Sequence, residues 1–137
     1  MSGIERIMVP GLLAPVSHYC HVVRSGDHVW ISGMVGARED RNDLPESVSE
    51  QFRIALESVD AALRAAGGTG PENIVKVTVY LTDVNDRAKI NPIREEYFGE
   101  HRPASVQSTD RPEALQEVFP HPSRVEPTGK IIGKHSS

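Results

Sequence analysis

Residues 74–81, Ile-Val-Lys-Val-Thr-Val-Tyr-Leu, alternate without interruption, and no other stretch limits the possible folds as tightly. In an extended strand Val75, Val77, Val79 and Leu81 share one side and Ile74, Lys76, Thr78 and Tyr80 the other, which predicts one deeply buried face and one mixed face. A strand of this kind needs partners, and the flanking patterns supply them. Upstream, Val48, Phe52, Ala55, Leu56, Val59, Leu63 and Ala66 recur at three- and four-residue steps, with Glu50, Arg53, Glu57, Asp60 and Arg64 between them. That spacing predicts an amphipathic helix of about five turns. Ser47 and Glu50 fit a capping box at its start, and Gly67-Gly68 ends it.

Downstream, residues 82–86 turn the chain. Pro92 suits the first position of a second helix, so Asn91 reads as its N-cap and the helix is predicted over 92–98, ending at Gly99. A strand over 103–109 follows, with a weaker strand candidate over 114–119. Nearer the start, residues 22–33 read as two short strands around Ser25-Gly26-Asp27, and 37–43 as a solvated polar loop. Pro120, Pro122 and Pro127 withhold backbone donors, so 120–137 is expected to be an irregular tail appended to a single domain over 1–119. Hairpin, helix, strand, helix, strand implies a mixed sheet with both helices on one face, an α+β architecture.

A chain of 137 residues accommodates one domain whose folding removes roughly two-thirds of its surface from water. Aromatic residues make up 5% of it, so the core must be mostly aliphatic. The net charge of -4 and the scattered lysines and arginines argue against nucleic acid as a partner. The first ten residues show no basic-then-apolar signal pattern and no apolar run reaches membrane-spanning length, so a cytoplasmic protein without membrane contact is expected. Cys20 is the only cysteine, which excludes an internal disulfide and a thiolate metal cluster within one chain. In a strand His18 and His21 point to opposite faces and no third ligand accompanies them, so neither metal nor cofactor is expected.

Several motifs in order resemble the YjgF/RidA family. They are Tyr19 within Ser17-His-Tyr-Cys-His21, Ser32-Gly33, Ala65-Ala-Gly67, Asn73-Ile-Val-Lys-Val-Thr-Val-Tyr-Leu-Thr-Asp83, Asn91, Tyr97-Phe98-Gly99 and Arg102-Pro103-Ala104. The resemblance covers residues 9–119 and implies a chorismate-mutase-like homotrimer that hydrolyses reactive enamines and imines in clefts between subunits. It also implies that Tyr19, Ser32, Asn91, Ser105 and Gln107 line a small-molecule site. An arginine just after Pro-Ala would clamp the substrate carboxylate there, and a glutamate on the last strand would help hold water. This chain has Ser105 at the first position and Phe119 at the second, with Glu117 two residues before Phe119 on the same side of a strand. Glu117 is thus the candidate catalytic carboxylate. Losing the two-pronged arginine is expected to weaken carboxylate binding by about tenfold or more, so a substrate shifted away from small 2-imino acids is expected.

Each of these residues also has a simpler explanation. Tyr19 can be a half-buried packing group, Ser32 can satisfy turn backbone, and a helix cap accounts for Asn91. Ser105 has no visible His/Asp activation and is not read as a nucleophile. Arg102 is a possible surrogate clamp, although an arginine there is more often solvated. Cys20 has no neighbour that would lower its pKa and is not read as a catalytic thiol. A non-catalytic small-molecule-binding trimer is the alternative function. A ribonuclease or translation-inhibitor role, a name attached to some relatives, finds neither a basic face nor a base/nucleophile set.

Overall fold

The computed structural model describes residues 3–15, 17–38, 43–109 and 124–130. Helix α1, Val48–Ala65, spans 18 residues, the five turns that the apolar spacing predicts. Ser47 Oγ accepts the Glu50 N–H at 3.3 Å, while the Glu50 carboxylate lies 3.4 Å from Arg53 Nε. Ser47→Ala is expected to lower stability by about 1 kcal/mol. Urea denaturation checks this, and an unmoved midpoint would mean that water replaces the hydroxyl at no cost. At the far end Gly67 takes φ +99° and the Gly68 N–H donates to the Leu63 carbonyl at 2.9 Å. The Arg24 guanidinium caps the same end by donating to the Ala66 carbonyl.

Among the described residues the strands are β1 (Ile4–Ile7), β2 (Val22–Ser25), β3 (His28–Ile31), β4 (Met34–Val35), β5 (Ile74–Leu81), β6 (Ala104–Thr109) and β7 (Arg124–Lys130). All seven join one sheet in the order β1-β2-β3-β7-β5-β6, with β4 also paired to β7. β5 and β6 run parallel and the other pairs antiparallel, so the sheet is mixed as expected. Helix α2, Arg87–Phe98, connects β5 to β6 and packs beside α1. Phe52, Val59 and Leu63 of α1 and Ile90 of α2 are buried in one cluster with Val22, Val29, Val77, Val79 and Leu81. Each such side chain contributes about 1.5–3 kcal/mol by leaving water.

Three expectations need correction. The tail is not irregular over 124–130, because β7 lies inside the sheet between β3 and β5. The β3 ladder stops at Thr128 and the β4 ladder starts at Val125. Pro127 therefore falls in the gap between the β3 and β4 ladders and pairs with Val77 of β5 on its other side, so its missing N–H is tolerated where the sheet is already interrupted. The domain accordingly extends past residue 119. The strand candidate over 114–119 lies outside the described residues.

The second helix starts earlier than predicted, after a 3-10 turn at Val84–Asp86, and holds Pro92 in its interior. Ile90 is completely buried, and Ser49 Oγ donates to the Lys89 carbonyl at 3.3 Å. These contacts hold in helical form a turn that proline alone would end. Asn91 is therefore not the N-cap.

The alternation of β5 also changes phase at its start. Two residues advance from Ile74 to Lys76 while β7 advances one, from Gly129 to Thr128. This β-bulge turns Ile74 into the core and leaves Val75 54% exposed. Sequence periodicity had placed them the other way round.

Candidate functional site

The predicted site residues fall into two groups within one chain. Tyr19 and Ser32 line a cleft together with Arg6, Met8 and Val23. His21, next in the chain to the cleft residues Tyr19 and Cys20, is buried. His21 Nδ1 accepts the Val9 N–H at 2.8 Å and Nε2 lies 2.8 Å from the Leu13 carbonyl, so Nε2 carries the proton and donates. Both ring nitrogens are committed to backbone, which explains why His21 is unavailable as a metal ligand. Ser32 belongs to the same knot: its N–H donates to the His21 carbonyl at 3.0 Å and its hydroxyl to the Cys20 carbonyl at 2.7 Å. The donor of Ser32 is thus spent on backbone, while its lone pairs and the exposed Tyr19 side chain face the opening.

The second group lies along α2 and β6. Asn91 is exposed and, among the described residues, its side chain makes no hydrogen bond, so the capping explanation for it no longer applies. Ser105 pairs with Val77 and Gln107 with Val79 across the parallel ladder. Because Val77 and Val79 are core residues, Ser105 and Gln107 project toward the helical layer. There the Arg94 guanidinium of α2 donates to Ser105 Oγ at 3.2 Å and stands 6.0 Å from the Phe98 ring centroid. Burial holds the Arg94 pKa below its ordinary value. Arg102 is exposed, so the arginine actually next to Ser105 is one that sequence reading did not single out. The available clue was that Arg94 follows Asn91 by three residues, which puts both on one helix face.

β7 and β5 separate the two groups. From β3 to β6 is three inter-strand steps, roughly 14 Å, too far for one small substrate to touch both. Glu117 and Phe119 lie outside the described residues. Tyr97, from the Tyr97-Phe98-Gly99 motif, joins neither group: it donates to Asp60 Oδ1 at 2.8 Å and fastens α2 to α1. Burial, reinforced by that carboxylate, raises its pKa well above the usual phenol value.

Among the described residues the sheet has helices on one face only, where α1 meets β3, β4 and β7. On the other face the register lines up Arg6, Val23, Trp30, Thr128, Lys76 and Ala104 in one row across the strands. Ile4, Trp30 and Val106 are exposed hydrophobics on this bare face. Met8 is also exposed beside it, in the Tyr19 cleft.

A mixed sheet with two helices and this motif order defines a recognisable class of small α+β proteins. The family model described as Endoribonuclease L-PSP matches residues 11–116. The chain belongs to this family, the YjgF/RidA family. It is 37% identical over 103 residues to a RutC family protein of Pyrococcus horikoshii, covering 74% of this chain and 81% of that one. It is 36% identical over 99 residues to TdcF of Escherichia coli strain K12, provisionally named a reactive intermediate deaminase, covering 72% of this chain and 74% of TdcF. Among solved structures, RidA of a Psychrobacter species from Antarctica superposes with a TM-score of 0.81 at 27% identity, covering 93% of this chain and 99% of that one.

Proposed function

We propose that three copies of this chain assemble into a homotrimer whose clefts hydrolyse a reactive enamine or imine to a carbonyl compound and ammonia. The observation that carries this reading is the division of the site. Tyr19 and Ser32 open onto one part of the molecule and Asn91, Ser105 and Gln107 onto another, so a complete site needs a second copy. The bare face with Ile4, Trp30 and Val106, and the unpaired outer edge of β6 among the described residues, are surfaces that association would cover. TdcF, similar over most of its length, bears the name of a reactive intermediate deaminase.

The chemistry is modest and needs no cofactor. An enamine first takes a proton on carbon to become an imine. Water then adds to the C=N carbon, a proton moves to nitrogen, the C–N bond breaks, and ammonia leaves as the carbonyl forms. The cleft must orient the substrate and hold the water. In this reading Tyr19, Ser32, Asn91, Ser105 and Gln107 orient the substrate. We place the protein in the cytoplasm without nucleic-acid or membrane partners. Its net charge of -4 fits this, and among the described residues no helix is long and apolar enough to cross a membrane.

The test generates 2-aminoacrylate enzymatically and follows its decay with and without the protein. Acceleration proportional to protein concentration is expected, and none at high concentration would reject activity on that substrate. Ser105, neutral where the resemblance implies a charged clamp, favours a second reading in which the trimer binds a small molecule without turning it over. That reading predicts thermal stabilisation by ligand with no product, and product formation removes it.

A further inference from the structure

Arg94 differs from the exposed arginines of α1 and of the segment before it. Arg38 pairs with Glu57, Arg53 with Glu50 and Glu96, and Arg64 with Asp60. Arg94 is half-buried, and among the described residues its contacts are a neutral hydroxyl and a ring face, with no ion pair. A guanidinium withdrawn from water without a counter-charge loses solvation that only an anion restores well. Its five N–H groups form a planar fork, and the single bond to Ser105 leaves most of them free. The Phe98 ring lies close to the guanidinium, which favours one orientation of the fork. Asn91, one turn earlier on the same helix face, adds an amide donor beside it.

We propose that Arg94 is the carboxylate-binding residue of the site, its guanidinium reaching from α2 to Ser105 to supply from the helix the charge that the strand lacks. The proposal rests on the reading above and names the residue that holds the substrate's carboxylate. The fork matches a planar carboxylate through two parallel hydrogen bonds, which a lysine cannot reproduce. Ser105 then holds the arginine in place where a strand arginine would otherwise stand, and the charge is delivered from the helix instead of the strand.

Calorimetric titration with pyruvate and with its uncharged methyl ester tests this directly. The wild-type protein is expected to prefer pyruvate. Arg94→Gln is expected to weaken pyruvate binding by about tenfold or more while leaving the ester unaffected, and Arg94→Lys to fall between. The double variant Arg94→Gln with Ser105→Arg is expected to recover the preference for pyruvate, a rescue that a purely structural role for Arg94 would not give. The lysine variant keeps the charge and most of the stem, and it carries the comparison if the glutamine variant folds poorly. Equal pyruvate affinity in wild type and variants, no preference over the ester, or no binding of either probe overturns the proposal. The same proteins are followed for 2-aminoacrylate decay. Turnover with pyruvate affinity insensitive to Arg94 removes this inference alone, whereas Arg94-dependent binding without turnover removes the hydrolase reading alone.

Discussion

Replacing His21 by leucine is expected to lower the unfolding free energy by about 3 kcal/mol, because a buried polar group left without its partner costs about 1–3 kcal/mol and two are orphaned together. The Val9 N–H loses its acceptor and the Leu13 carbonyl its donor, each now bonded at 2.8 Å. Leucine fills much of the same volume, so the loss reports the hydrogen bonds and not a cavity. The Val9 amide should also lose its protection in hydrogen exchange, and the Tyr19 side of the cleft should loosen with it. His21→Gln, which keeps one donor and one acceptor, is expected to recover part of the stability. A leucine variant with unaltered urea midpoint and unaltered Val9 protection would show that water satisfies both groups.

The second large effect is expected at Gly36, just past β4. A Cβ built there would lie 2.5 Å from Gln51 Cα and 2.6 Å from the Gln51 carbonyl oxygen. Both are backbone atoms of α1, so no rotamer change relieves the overlap. Either β4 withdraws from α1 or the helix shifts, and overpacking of this kind costs about 1–3 kcal/mol. Gly36→Ala belongs at the upper end of that range, and Gly36→Val beyond it. Gly26 offers a contrast, because a Cβ there meets nothing within 4 Å. Its φ of +62° still penalises alanine, but only through local backbone strain. Denaturation of Gly36→Ala and Gly26→Ala side by side separates the two costs, and equal losses would argue against the close approach of β4 to α1.

The sequence revealed most where local pattern and tertiary demand agree. The spacing from Val48 to Ala66 and the Ser47 cap define α1 because helix periodicity, capping and burial all select the same residues. Residues 77–81 behave as their alternation requires. Failures arose where a remote partner decided the outcome. Pro127 argues locally against a central strand, and only the gap between the β3 and β4 ladders on the neighbouring side accommodates it. Asn91-Pro92 has the chemistry of a helix start, but burial of Ile90 carries the helix a turn and a half further back. The bulge at Val75 is visible only against the register of β7. In the candidate site, Tyr19, Ser32, Asn91, Ser105 and Gln107 were named from motif order, whereas their division into two groups follows from strand order. Arg94 was missed because its role depends on contact between a helix and a strand eleven residues away.

The placement of β7 has a consequence for how the chain matures. The ribosome delivers the β1–β3 strip and the β5–β6 pair first, each with a raw edge, and the segment that zips them together, and pairs with β4, emerges only with residues 124–130. Until then both strips are open to pairing with other nascent chains, the stage at which chaperones have most to protect. A stop codon placed ahead of that segment would not trim the protein but leave its two halves unjoined.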